Sequence, residues 1–111
     1  MTRTLTTAPL LLAGALLLAG VPAGGATRPP ALTVGIKEFT YLPPQLRVPV
    51  GTRVTWTNRD EEVHTVTSAA GAFASAGLSK DETFTQTFTK PGTYPYFCAL
   101  HPQMRATVVV R

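Results

Sequence analysis

Residues 82–110 read ETFTQTFTKPGTYPYFCALHPQMRATVVV, and this stretch decides the fold. From Glu82 to Thr89 polar and apolar residues alternate, with Phe84 and Phe88 on one face, the period-two pattern of a half-buried strand. Pro91-Gly92 turns the chain into a second strand, Thr93-Tyr-Pro-Tyr-Phe97. A short loop then leads to Ala106-Thr-Val-Val-Val110, a β-branched run that should be buried on at least one face. Working outward, Leu32-Thr-Val-Gly-Ile-Lys37, Gln45-Leu-Arg-Val48 and Thr52-Arg-Val-Thr-Trp-Thr57 carry the same signature, the last two separated by Pro49-Val50-Gly51. Only residues 68–80, rich in Ala and Gly, leave room for a short helix or an irregular loop. Short strands with turns at close spacing predict an all-β antiparallel sandwich or barrel. Trp56 and the Phe residues are expected in its core, with no direct part in chemistry.

The other end of the chain reads differently. Arg3 gives a positive start, residues 8–21 form an uncharged apolar run, and small residues follow through Ala23 and Ala26. Those are the three parts of a secretory signal. The run falls short of the ~20 residues a membrane-spanning helix needs. The expected organisation is therefore a signal peptide over residues 1–26, cleaved after Ala26 or Ala23, and one domain over residues 27–111. Periplasm is the expected compartment, with extracellular or membrane-tethered forms as alternatives. Without Arg3, nine Lys and Arg stand against six Asp and Glu, scattered along the chain. No run collects them, which argues against a nucleic-acid partner and leaves a mildly basic surface suited to acidic ones.

A domain this small buries a modest core and should gain from a disulfide or a metal. With one Cys in the chain no internal disulfide can form. An exported protein with a single thiol has an intermolecular bond, a free reactive sulfur or a metal on it. Apart from Met1, the chain has one Cys, one Met and two His, and three of those four fall at Cys98-x-x-His101-x-x-Met104. Cys98 ends a strand, and a loop this tight can turn all three side chains toward one point. His64, from a neighbouring strand or strand end, is the fourth candidate and would tie a second part of the sandwich to the loop.

The donor types select the metal. One thiolate, two imidazoles and a thioether suit copper, with Met as a long axial ligand. Zinc prefers a closed shell of Cys, His or carboxylate, and iron–sulfur clusters need more thiolates. Each residue alone has a plainer role: Met104 as core filler, His64 as a hydrogen-bonded structural residue, Cys98 as a small buried hydrophobe. A Cys98–His101 hydrolytic pair would need a third, orienting group and an oxyanion hole, for which no motif is present. A copper oxidase or nitrite reductase would need a second copper with further His ligands, so an enzyme is not expected.

At these residues the chain resembles the cupredoxins, in particular the small amicyanin and plastocyanin type. The resemblance runs from Ile36 to Val110 through Val54-Thr-Trp-Thr-Asn58, His64, Gly92-Thr-Tyr-Pro-Tyr-Phe-Cys98 and the C-x-x-H-P-x-M loop. The two-residue gaps between loop ligands are the short form found in amicyanins. The resemblance implies a Greek-key β-sandwich of about seven to eight strands holding one type 1 copper ion, Cu(I)/Cu(II). It implies His64, Cys98 and His101 as equatorial ligands and Met104 as the weak axial one. It further implies that Asn58 braces a ligand loop and that Tyr94 makes a corner hydrogen bond. Thr65 stands where the family often has Asn, so the contact to the loop falls to a hydroxyl. Ala99, Leu100 and Gln103 also depart from common family residues, at positions that touch tuning and docking. The implied function is one-electron transfer by a monomer, with redox proteins docking near Leu100, His101 and Pro102 and no small-molecule substrate. Copper delivery or storage is the competing function.

Overall fold

The computed structural model describes residues 2, 4–7, 9 and 28–111. Most of the expected signal segment, residues 1–26, lies outside the described residues. Among the described residues no helix is long and apolar enough to cross a membrane.

Eight strands follow one another: β1 (Ala31–Lys37), β2 (Thr40–Leu42), β3 (Gln45–Val48), β4 (Thr52–Asn58), β5 (Thr67–Ser68), β6 (Thr83–Phe88), β7 (Gly92–Phe97) and β8 (Arg105–Val110). They form two four-stranded sheets, ordered β2-β1-β4-β6 and β3-β8-β7-β5. The six strands expected from alternation are present with ends shifted by a residue or two. Two strands were not anticipated, because β2 and β5 are three and two residues long and carry no readable period. The region 68–80 holds no helix and is tied down by isolated bridges, His64 to Leu78 and Thr67 to Ala74.

The expected all-β sandwich is present, and four of its six strand pairings among the described residues are antiparallel, but two are not. β1 pairs parallel with β4, and β3 pairs parallel with β8. The physical reason lies in the turn at Pro49-Val50-Gly51, where Gly51 has φ 92°. It carries the chain from β3 in one sheet to β4 in the other, so consecutive strands are not hairpin neighbours. Alternation reports which face is buried and says nothing of the direction of the adjacent strand.

The core fills the space between the sheets. Val34, Ile36, Val54, Trp56, Val66 and Val108 are fully buried, and Val110, Tyr96 and Phe88 nearly so. β8 shows the expected alternation, with Ala106, Val108 and Val110 inward. Trp56 sits at the centre, its ring 5.4 Å from Tyr96 and 5.8 Å from Phe84. A fully buried indole of roughly 200 Å² contributes about 5 kcal/mol at ~25 cal/mol/Å². Tyr94 makes the corner bond, its hydroxyl donating to the Lys90 carbonyl at 2.7 Å. The assignment of every Phe to the core is also corrected, for Phe39 is 40% exposed and lies against the candidate site.

Candidate metal centre

Two segments meet at one end of the sandwich. The first leaves β7 at Cys98 and returns at Arg105. Within it the Cys98 carbonyl accepts from His101 N–H (3.2 Å), and the His101 carbonyl accepts from Met104 N–H (2.9 Å). These are two successive turns of period three, which is why Cys98, His101 and Met104 recur at that spacing. Cys98 N–H donates to the Met104 carbonyl at 3.1 Å and closes the loop. Cys98 is fully buried and Met104 is 3% exposed, whereas His101 is half-buried at the surface.

The second segment runs from the end of β4 to Val66. Asn58, fully buried, donates from Nδ2 to the carbonyls of Glu62 (2.8 Å) and Leu78 (2.7 Å), and its Oδ1 accepts from Asp60 N–H (2.9 Å). Asn58 therefore braces the His64 segment. His64 sits at the isolated bridge to Leu78, exchanging both backbone hydrogen bonds with it. It projects from no named strand.

His64, Cys98 and His101 converge. His64 Nδ1 lies 3.2 Å from His101 Nδ1, and Cys98 Sγ lies 3.8 Å and 3.7 Å from the two. All three donor atoms fall within 4.8 Å of one another. The point equidistant from the three is about 2.1 Å from each, within the ~2.0–2.3 Å that a first-row ion keeps from imidazole nitrogen and thiolate sulfur. With a buried Met on the same loop, the donor set fits copper.

Four hydrogen bonds prepare these donors. Asp60 Oδ2 accepts from His64 Nε2 at 2.8 Å, which puts the ring proton on Nε2 and leaves Nδ1 a lone pair. Burial works to raise the Asp60 pKa. The N–H groups of Phe39 and Glu38, followed by His64, outweigh it and hold the carboxylate below its usual range. Cys98 Sγ accepts from Thr65 N–H at 3.3 Å. Thr65 Oγ1 accepts from Ala99 N–H at 2.8 Å, so the hydroxyl supplies the contact expected at this position. The Tyr41 hydroxyl donates to the Thr65 carbonyl at 2.5 Å. Burial above all, then the charges of Cys98 and Tyr96, pushes that phenol well above its usual range and keeps it a donor.

Sequence reasoning missed Asp60, Phe39 and Tyr41. Asp60 carried a signal, a carboxylate four residues before a candidate ligand. Phe39 carried none, because 25 positions separate it from His64 and only folding joins them.

Two mixed four-stranded sheets with a Cys-His-His cluster at one end define a class of protein. The chain belongs to the cupredoxin-like family, whose domain it matches over residues 9–110. Within that family it is similar to amicyanins. It is 42% identical over 85 residues to the amicyanin of Paracoccus denitrificans, covering 72% of this chain and 65% of that one. It is 36% identical to the amicyanin of Paracoccus versutus, covering 72% and 64%. The chain thus spans just under two thirds of the length of these curated relatives. Among solved structures, an amicyanin variant in its Cu(I) form is 40% identical with a TM-score of 0.70, covering 73% of this chain and 82% of that one. An oxidised amicyanin variant is 38% identical with a TM-score of 0.69.

Proposed function

We propose that this protein is a type 1 copper protein that carries single electrons between redox partners in the periplasm. The observation that supports this most is the convergence of His64 Nδ1, His101 Nδ1 and Cys98 Sγ, 3.2, 3.7 and 3.8 Å apart. These three, with Met104 on the same loop, would hold the copper. Bound copper would supply a one-electron Cu(I)/Cu(II) couple.

The rest of the work falls to the chain. Asp60 fixes the His64 tautomer, and the Thr65 amide takes part of the thiolate charge. The Ala99 amide bond to Thr65 locks the loop to the neighbouring segment. Held this way, the donors have little freedom to rearrange when charge changes, which favours rapid transfer. Cys98 and His64 admit no water, and His101 alone among the three donors reaches the surface. Electrons would leave through its ring edge, beside Leu100, which is 56% exposed, and Pro102. A partner protein would bind there through a small, transient interface, as redox encounters do. The apolar run at residues 8–21 supports export. Copper delivery is disfavoured because two of the three donors are closed to an acceptor. Both His of the chain lie in this one centre, leaving none for a second, catalytic copper, so an electron carrier with no small-molecule substrate is the reading that fits.

The test is to add Cu(II) to the purified protein and record absorption and EPR spectra. Intense visible charge transfer with narrow copper hyperfine splitting, both abolished in Cys98→Ala, is the expected result, together with reversible one-electron cycling. Copper bound equally and with the same colour by the Cys98→Ala protein would overturn it.

A further inference from the structure

We propose that Phe39 is a positioning residue for both imidazoles, an aromatic cap fastened by Asp60 that holds the His64–His101 pair together and shields it from water. The inference rests on reading those two histidines as ligands. Phe39 lies outside every segment expected to form the site, and its 40% exposure would by itself make it an ordinary surface apolar residue. Its ring is not free. Its centroid lies 4.9 Å from His64 with the planes 82° apart and 4.9 Å from His101 with the planes 84° apart. The two imidazole centroids are 5.0 Å apart, so the three rings form a nearly equilateral triangle. Edge-to-face contacts at this separation are the favourable arrangement of aromatic rings.

The backbone that presents the ring is specially held. Glu38 and Phe39 have φ of 52° and 57°, two successive non-glycine residues in the left-handed region, a conformation that side chains resist. Asp60 offsets that strain, Oδ1 accepting from Glu38 N–H at 2.7 Å and Oδ2 from Phe39 N–H at 2.9 Å. The same Oδ2 accepts from His64 Nε2. One carboxylate therefore fixes both the ring of His64 and the turn that lays Phe39 against it. His101 sits on a surface loop, and among the described residues its ring contacts Cys98, His64 and Phe39. Phe39 is the one apolar ring among these contacts.

The experiment compares full-length wild type with Phe39→Ala, Phe39→Leu and Phe39→Tyr. In the metal-free proteins, NMR reads the ring-proton shifts of His64 and His101, which feel the ring current of Phe39. In the copper-loaded, reduced proteins, transfer of Cu(I) to bathocuproine disulfonate reads how tightly the pair is held. The expected result is loss of the ring-current shift in Ala and Leu, its retention in Tyr, and Cu(I) transfer about tenfold faster in Ala and Leu, the scale of one to two aromatic contacts. Ring-proton shifts and transfer rates in Ala and Leu within about twofold of wild type would overturn the role. So would a lowered melting temperature with the imidazole shifts unchanged, since that marks Phe39 as merely structural. Leu keeps apolar cover and so remains informative where Ala unfolds. Failure of the wild type to bind copper would overturn the metal reading alone, for the metal-free spectra still decide the role of Phe39.

Discussion

Replacing Asp60 by Asn tests the clamp on which the candidate centre depends. The carboxylate accepts three N–H groups, from Glu38, Phe39 and His64, at 2.7, 2.9 and 2.8 Å. An amide of nearly the same shape offers one oxygen and one NH₂. Whichever way it lies, the NH₂ faces at least one N–H, donor against donor. The variant loses one or two charge-assisted hydrogen bonds and leaves an N–H unpaired in a part-buried setting, a cost of about 2–3 kcal/mol. For a domain of this size that lowers Tm by ~8–24 °C. His64 also loses its anionic partner, and removing such a partner costs about 10–100-fold in metal affinity. Thermal unfolding of the metal-free variant followed by circular dichroism gives the first number, and copper competition with a chelator of known affinity gives the second. If Asp60→Asn melts within about 2 °C of wild type and binds copper equally, the clamp reasoning is refuted, since that is the scatter of a neutral surface change.

Three further outcomes are expected. Asn58→Ala removes two donations and one acceptance from a fully buried side chain and should cost about 2–3 kcal/mol in denaturant unfolding; a change below ~0.5 kcal/mol would show that it braces nothing. Thr65→Val keeps the shape and removes the acceptor for Ala99 N–H, so amide hydrogen exchange at Ala99 should speed about tenfold while the global unfolding free energy falls by ~1 kcal/mol; unchanged protection at Ala99 would contradict the loop contact. Met104→Gln should retain copper and show a lower reduction potential by voltammetry, because a weak thioether ligand, the role proposed for Met104, tunes that potential. An unaltered potential would remove Met104 from the ligand set.

The sequence determined by itself which residues face inward and which three share a loop. Alternation over Glu82–Thr89 and Ala106–Val110 fixed the buried faces of β6 and β8, because side-chain direction in a strand has a period of two wherever the strand lies. The three-residue spacing of Cys98, His101 and Met104 marked successive turns, a local property of the backbone. Chemistry was legible too, since donor softness belongs to residue types. What tertiary structure alone decided was everything that needs two distant segments at once. The parallel pairing of β1 with β4 and of β3 with β8, the two shortest strands, and the place of His64 at a bridge to Leu78 all follow from long-range contacts that leave no period in the chain. The same holds for Asp60, whose carboxylate gathers Glu38, Phe39 and His64, and for Phe39, whose exposure looks incidental until the two imidazoles lie beside it. A side chain's partners are set by where the sheets carry it, and single-chain patterning records only its neighbours along the backbone.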